Sequence, residues 1–389
     1  MYHTGLMTEN MKNPFINKEY GLYVHIPFCA KKCFYCAFNV NILKNIPESD
    51  YLDKLIQELS FYNKKWKTVY IGGGTPNLVT NDFYLKLFKH LDVTNIEEVT
   101  IELNPEFVTK KQIDFYKSLG VNRFSLGIQT FNENGLTVLG RNHNKKQALD
   151  ACFLLKNENY SFDLIYGYPT QTISELKMDL EFIKKFSPPH LSIYNLSYEK
   201  GAFFYKWRKK GKIQALDDEI ELKMYNLINE SVEKTGLKRY EISNFAKVGY
   251  ESKHNMLYWT SYPYIGVGTG AHSYYYDKDT VVRSENEKKL RNYLSNSVKE
   301  IKTLNILTKK DYVFDKFYSE MRKLYINYDD FLLQTGVNLF NLFKDNNNYE
   351  SLRKFIEFRE NLIYFTDMGV INSDSVFEVF YNIIENMEI

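Results

Sequence analysis

Six short apolar runs alternate with stretches of helical spacing over the first half of this 389-residue chain. The runs are 21–26, 67–71, 98–103, 123–128, 161–166 and 190–195, rich in Val, Ile, Leu, Phe and Tyr. Between them, residues 49–62, 81–91, 109–119, 144–157 and 172–186 place apolar side chains at i, i+3 and i+4. The first pattern predicts buried strands and the second amphipathic helices. Pro27 stops the first strand, Ser49 reads as an N-cap, and Gly120 ends the third helix. Strands regularly separated by helices imply a parallel sheet with helices outside. Six such units fit an open, partial version of the eight-fold barrel, a (β/α)6 TIM-like barrel. In that architecture chemistry sits at the C-terminal ends of the strands.

The unusual residues fall at those ends. Cys29-Ala-Lys-Lys-Cys33-Phe-Tyr-Cys36 follows the first run and holds three of the four cysteines, spaced C-x3-C-x2-C. Crowded thiolates can wrap one iron–sulfur cluster. Three ligands on a four-iron cubane leave one iron open to a small molecule. Structural zinc, with His25 as fourth ligand, is the competing reading. A disulfide is disfavoured by the odd number and crowding of these cysteines. Gly72-Gly73-Gly74-Thr75-Pro76 follows the second run and lets backbone approach a ligand closely, although alone it could be a tight turn. Glu102 ends the third run, Gln129 follows the fourth, and Asp163 lies in the fifth. Taken singly, Glu102 could be a solvated edge charge. As a functional group it would accept hydrogen bonds from ribose hydroxyls. Arg141 could neutralise a carboxylate. Cys152, among Ala148, Leu149 and Phe153, reads as packing.

The cysteine spacing, with Tyr35 just before the last Cys, resembles the radical S-adenosylmethionine (SAM) superfamily. The resemblance narrows over residues 21–275. Tyr23-Val-His-Ile-Pro-Phe-Cys29, Gly72-Gly-Gly-Thr-Pro76, Glu102-Leu-Asn-Pro105, Ser125-Leu-Gly-Ile-Gln129, Leu139-Gly-Arg-Asn-His143 and Asp163-Leu-Ile-Tyr-Gly-Tyr-Pro169 look like the coproporphyrinogen III oxidase-like branch. The resemblance implies a 4Fe-4S cluster on Cys29, Cys33 and Cys36. It implies SAM contacts from Tyr23, Tyr35, Gly73, Gly74, Thr75 and Glu102. Gln129, Arg141 and Asp163 match positions assigned to a second SAM in the oxidase. Three features separate the chain from the oxidase itself. Only about 20 residues precede the first strand, Ala37-Phe38 stands where the oxidase has a further Cys, and residues 254–259 read His-Asn-Met-Leu-Tyr-Trp. The pattern H-N-x-x-Y-W is similar to the heme chaperones of the HemW family, where it is tied to heme binding. It nominates His254, Tyr258 and Trp259 as heme contacts, against a bland reading as a structural His with a core aromatic pair. Ala37 departs from the Asp usual there, at a position that is not a ligand. His143, His190 and His272 read as structural or supporting residues.

Residues 1–20 are polar, without a secretory pattern, 21–285 are read as the barrel and its extension, and 286–389 as a separate C-terminal domain. Helical spacing at 312–325 and 349–365, a short strand at 362–366 and a turn at Met368-Gly369 resemble a small, mainly helical, winged-helix-like domain. Its balanced charge speaks for a lid or docking surface rather than DNA binding. Across the chain, 50 basic and 48 acidic residues give a net charge of +2, and no electrostatic case for a nucleic-acid partner. No apolar run reaches the roughly 18 residues that span a bilayer, which places the expected location in the cytoplasm with peripheral membrane association left open. The resemblance implies a heme chaperone that binds a 4Fe-4S cluster, SAM and heme as cargo and delivers heme to apo-haemoproteins. A flavodoxin- or ferredoxin-type electron donor and a homodimer are further implied partners. The alternatives are oxygen-independent coproporphyrinogen III dehydrogenase and a radical SAM methyltransferase.

Overall fold

Alternation within each strand decides which way it faces. In the computed structural model, which describes residues 18–62, 64–278, 280–344 and 349–387, the first six strands are β1 (Tyr20–Ile26), β2 (Trp66–Gly73), β3 (Glu98–Leu103), β4 (Arg123–Gln129), β5 (Tyr160–Tyr166) and β6 (His190–Asn195). Each pairs in parallel with the next. Leu22, Val24 and Ile26 of β1, Val69 and Ile71 of β2, Val99 and Ile101 of β3, and Phe124, Leu126 and Ile128 of β4 are buried in the main core. Burying each of these side chains contributes about 1.5–3 kcal/mol. The intervening residues carry the polar groups, and the ladders hold them level: Ile26 is beside Gly73, Glu102 beside Ser125, and Gly127 beside Asp163.

The sheet stays open and grows at both edges. Beyond β6 come β8 (Asn244–Ala246) and β7 (Lys238–Arg239), both antiparallel. Beyond β1 comes β9 (Tyr264–Val267) in parallel, then β10 (His272–Asp277), β11 (Thr280–Asn286) and β12 (Lys302–Ile306) antiparallel, making twelve strands among the described residues. The sheet therefore continues past residue 285, to Ile306. Of the N-terminal segment expected over 1–20, residues 1–17 lie outside those described.

Helix Glu48–Phe61 begins one residue before Ser49, so Ser49 is not its cap. Pro47 occupies the flanking position without a side-chain hydrogen bond, and the Glu48 carboxylate instead accepts from the Thr80 backbone N–H at 3.1 Å. Near the other end, Glu58 is fully buried and fixes the sheet extension. It accepts from Lys302 Nζ at 2.6 Å, Asn286 Nδ2 at 2.7 Å, the Tyr293 hydroxyl at 2.7 Å and the Gly268 N–H at 2.9 Å.

The C-terminal region has its own core. Helix Lys309–Met321 packs on helix Ser373–Glu385, with Phe317 and Phe380 stacked at 3.7 Å between centroids. Beside them lies a small antiparallel sheet of β13 (Tyr325–Asn327), β14 (Ile356–Arg359) and β15 (Leu362–Phe365) in the order β13-β15-β14. Three expectations are corrected here. The helix expected over 312–325 ends at Met321, and Leu324 turns the chain with φ +76°. Most of 349–365, expected as helical, is the β14–β15 hairpin, because Ile356, Ile363 and Phe365 bury on the strand period with Glu360 at φ +51° in the turn. Met368-Gly369 is not a turn but lies in a short helix, Asp367–Ile371, capped by Thr366.

Glu58→Ala strands the buried Lys302 ammonium. A loss of about 3–5 kcal/mol is expected in denaturant unfolding. A change within error would show that this network does not hold the sheet extension.

Candidate functional site

The loop after β1 is tied down before any ligand is considered. Cys29 N–H donates to the Asn41 carbonyl, and Phe34 N–H to the Leu139 carbonyl at 3.0 Å. Phe34 plugs into Phe203, Phe204 and Trp207, the last at 4.8 Å between centroids. From the other side the glycine loop is bolted on. Gly74 N–H donates to the Ile26 carbonyl and Thr75 N–H to the Phe28 carbonyl, each at 2.8 Å. A Cβ on Gly74 would lie 2.7 Å from the Phe28 carbonyl oxygen and 3.0 Å from Cys29 Sγ. Gly73 has φ +115°, and a Cβ there would strike the His25 ring at 2.5 Å. Only glycine allows both approaches.

Cys29, Cys33 and Cys36 line one cavity of about 400 Å³ together with Tyr35, Gly73, Gly74, Thr75, Glu102, Gln129, Arg141 and Asp163. Two of the thiols already carry donors: Thr75 Oγ1 lies 3.5 Å from Cys29 Sγ, and Arg141 Nη1 lies 3.5 Å from Cys33 Sγ. Burial pushes the Cys29 thiol up to about 11 and raises that of Cys36. Thiols held protonated in this way are poor nucleophiles, and a bound cation would have to displace the proton for them to act as ligands. Among the described residues no three His, Cys, Asp or Glu side chains converge on a single-ion site. A cubane spaces its thiolate ligands more widely than one ion does. The zinc reading loses its fourth ligand, because His25 is engaged at both nitrogens. Nδ1 bonds the Tyr23 hydroxyl at 2.9 Å and Nε2 the Asn39 carbonyl at 2.8 Å.

The polar residues of neighbouring strands complete this wall. Glu102 accepts from the Tyr70 hydroxyl and the Gly73 N–H, both at 2.9 Å. Burial nonetheless pushes its carboxyl up to about 7. Asp163 accepts from Ser125 at 2.6 Å and Ser161 at 3.0 Å, and burial raises its carboxyl too. Arg141 reaches Asn104 Oδ1 at 3.0 Å, the Gly127 carbonyl at 2.8 Å and the Tyr35 hydroxyl at 3.3 Å. Gln129 closes β4 at φ +67°. Sequence reasoning missed Tyr70, Asn104, Ser125 and Ser192, which line the same cavity. The period-two signal was present: Ser125, Gly127 and Gln129 alternate on β4, as Ser192 and Tyr194 do on β6.

Tyr23 belongs to a second cavity, of about 760 Å³, which shares Lys32, Ala37, Phe38 and Val40 with the first. Tyr258 and Trp259 line it as well, whereas His254 does not. His254 is fully buried, with Nδ1 2.7 Å from Thr68 Oγ1 and Nε2 2.7 Å from the Tyr258 hydroxyl. Its backbone N–H donates to Glu98 Oε1 at 3.0 Å. His254 and Tyr258 meet because they are four apart on helix Lys253–Trp259. His143 and His190 are buried and structural: His143 bonds the Ile128 carbonyl, and His190 bonds Ser161 and Tyr240. Cys152 is buried in the core. His272, read from sequence as a structural or supporting residue, lines the second cavity with an exposed side chain.

Residues 23–183 match the family model of the radical SAM superfamily. Heme chaperone HemW of Buchnera aphidicola subsp. Schizaphis graminum is 34% identical over 318 residues, covering 78% of this chain and 82% of that protein. Heme chaperone HemW of Bacillus subtilis is 31% identical over 375 residues, covering 92% and 98%. Among solved structures, coproporphyrinogen III oxidase (HemN) from Escherichia coli, described as a radical SAM enzyme, superposes with a TM-score of 0.76 at 20% identity, over 97% of this chain and 91% of that one. That likeness speaks for the fold. The open parallel sheet with its cysteine loop is thus the radical SAM fold. Within that class, the chain belongs to the family of proteins named heme chaperone HemW.

Gly74→Ala pushes a methyl group against the Phe28 carbonyl and Cys29. It is expected to cost about 1–3 kcal/mol and to lower the iron retained after anaerobic reconstitution. Wild-type unfolding together with wild-type iron content would refute the clamp.

Proposed function

We propose that this chain is a heme chaperone that binds a 4Fe-4S cluster and SAM at the strand ends, takes up heme, and delivers it to apo-haemoproteins. The reading rests on family membership over most of the chain joined to one structural observation. The three thiols share a single cavity with Glu102, Asn104, Arg141 and Asp163. Cys29, Cys33 and Cys36 would hold three irons of the cluster and leave the fourth to the methionine end of SAM. When bound, the pair supplies the one-electron chemistry of the superfamily.

The residues around them bind and orient. The amides of Gly73, Gly74 and Thr75 are spent on Glu102, Ile26 and Phe28, which fixes the glycine loop along the cavity where the methionine end of SAM would lie. Arg141 sits where it can face a carboxylate, and Glu102 where it can accept from ribose hydroxyls. The porphyrin-oxidase alternative shares this cavity and differs in its product.

Anaerobic reconstitution followed by hemin titration, then addition of an apo-haemoprotein, tests the reading. One heme bound per chain and passed on, with coproporphyrinogen III left intact under SAM and reductant, is the expected result. Turnover of coproporphyrinogen III without heme transfer would replace it with the enzyme reading. Replacing any one of the three cysteines by Ala should abolish the cluster absorbance.

Because burial holds Glu102 near 7, its carboxyl is protonated below that pH and ionised above it. SAM affinity should therefore rise with pH, by up to about tenfold per unit below the midpoint, and then level off. Glu102→Gln should remove this dependence in anaerobic calorimetry. An unchanged slope in the variant would exclude Glu102 as its source.

A further inference from the structure

The SAM reading leaves the cavity that holds Tyr23, Tyr258 and Trp259 without a role. This second cavity, of about 760 Å³, lies between the cysteine loop, the sheet extension and the first helix of the C-terminal region, which contributes Tyr318 and Ser319. Its volume is within the range of small-molecule sites. One side is aromatic: Tyr258 packs edge-on to Tyr264 at 4.5 Å, Tyr264 stacks with Tyr274 at 6.3 Å, and Trp259 lies alongside. Trp259 is braced from behind by the Arg322 guanidinium, 4.5 Å from its ring centroid. Its indole N–H is buried without a hydrogen-bond partner among the described residues. Three cations, Lys32, Arg283 and Lys288, also line the cavity; Arg283 is paired with Asp315 at 2.6 Å and Lys288 with Glu285 at 2.5 Å, carboxylates that an incoming anion would replace as partners. Apolar rings facing cationic groups suit a flat, dicarboxylate macrocycle.

An imidazole stands at the same cavity. His272 opens β10 opposite Glu285 on β11. Its Nε2 lies 3.1 Å from Glu285 Oε1, and its side chain is 64% exposed. A carboxylate on one ring nitrogen fixes the ring and makes the other nitrogen a better metal ligand. Neutral imidazole is a common ligand to iron. His254 has no such freedom. It is sealed under Tyr258 with both nitrogens bonded, and therefore acts by positioning Tyr258 in the cavity wall.

We propose that this second cavity is the seat of the heme cargo, with His272 as the axial ligand, the Tyr258–Trp259 wall against the macrocycle, and Lys32, Arg283 and Lys288 toward the propionates. The proposal rests on the chaperone reading and adds where the cargo sits. Lys32, Ala37, Phe38 and Val40 line both cavities, so the two adjoin along the cysteine loop and the residues that follow it. Heme would then lie next to the cluster without entering the SAM site.

The test titrates the full-length, cluster-loaded protein with hemin and, separately, with iron-free protoporphyrin IX, comparing wild type with His272→Ala. Wild type should show an imidazole-ligated Soret band and electron paramagnetic resonance signal. His272→Ala should lose both and bind hemin at least tenfold more weakly, free imidazole should restore the signature, and protoporphyrin IX should bind both proteins within twofold. Because His272 is exposed, far-ultraviolet circular dichroism should be unchanged. If His272→Ala keeps the wild-type spectrum and affinity, this seat is wrong while the chaperone reading stands. If wild type binds neither porphyrin, the chaperone reading fails and takes the seat with it.

Discussion

Two backbone hydrogen bonds hold the candidate site together: Gly74 N–H to the Ile26 carbonyl and Thr75 N–H to the Phe28 carbonyl. They join the C-terminal ends of β1 and β2 beyond the point where the parallel ladder would stop. A Cβ at position 74 would lie 2.7 Å from the Phe28 carbonyl oxygen and 2.9 Å from that of Ile26, the two acceptors, which is why a glycine stands there. Through them the cysteine loop takes its position from the sheet rather than from its own short sequence. Glu102 extends the same clamp to β3 by accepting from Gly73, and Arg141 extends it to β4 through the Gly127 carbonyl. Four strands therefore set the geometry around three thiols, and a buried core supports all four.

The clamp also explains why the cysteine loop can serve two cavities. Residues Lys32 to Val40 are anchored at Phe34 on one side and, through Asn39, at His25 on the other. His25 is buried, and burial lowers its pKa to about 4, so it stays neutral and bridges Tyr23 to the Asn39 carbonyl at physiological pH. A wall held from both sides can separate a nucleoside-type ligand from a flat aromatic one while keeping them adjacent. In the proposed reading such a separation has an evident use: Asp163, Glu102 and Arg141 line the polar cavity and would meet SAM, while Tyr258 and Trp259 line the aromatic one and would meet heme.

Much of this was legible in the sequence, and what was not has physical reasons. Strands β1 to β6 announce themselves by short apolar runs, and their observed limits differ from the expected ones by no more than two residues. The cysteines, the glycine loop and the charged strand ends stand out because those residue types are unusual beside buried strands. Ser125, Ser192 and Asn104 did not stand out, since a small polar residue is unremarkable until the pleat shows which face it takes. The antiparallel extension β10 to β12 depends on pairings among distant segments and on the buried Glu58, whose long-range partners no local pattern reveals. His254 was nominated as a heme contact by its motif, yet the structure gives both its nitrogens to Thr68 and Tyr258. His272 follows a glycine-rich turn, Gly266 to Gly270, but only the pairing of β10 with β11 sets it beside Glu285.

The most direct measurement is an anaerobic crystal structure of the reconstituted protein with SAM and hemin both bound. SAM against Glu102 and the glycine loop, with the porphyrin across the cysteine loop between Trp259 and His272, is the expected result. A porphyrin lying in the Glu102–Asp163 cavity, in place of SAM or stacked upon it, would contradict the division of the site into two cavities.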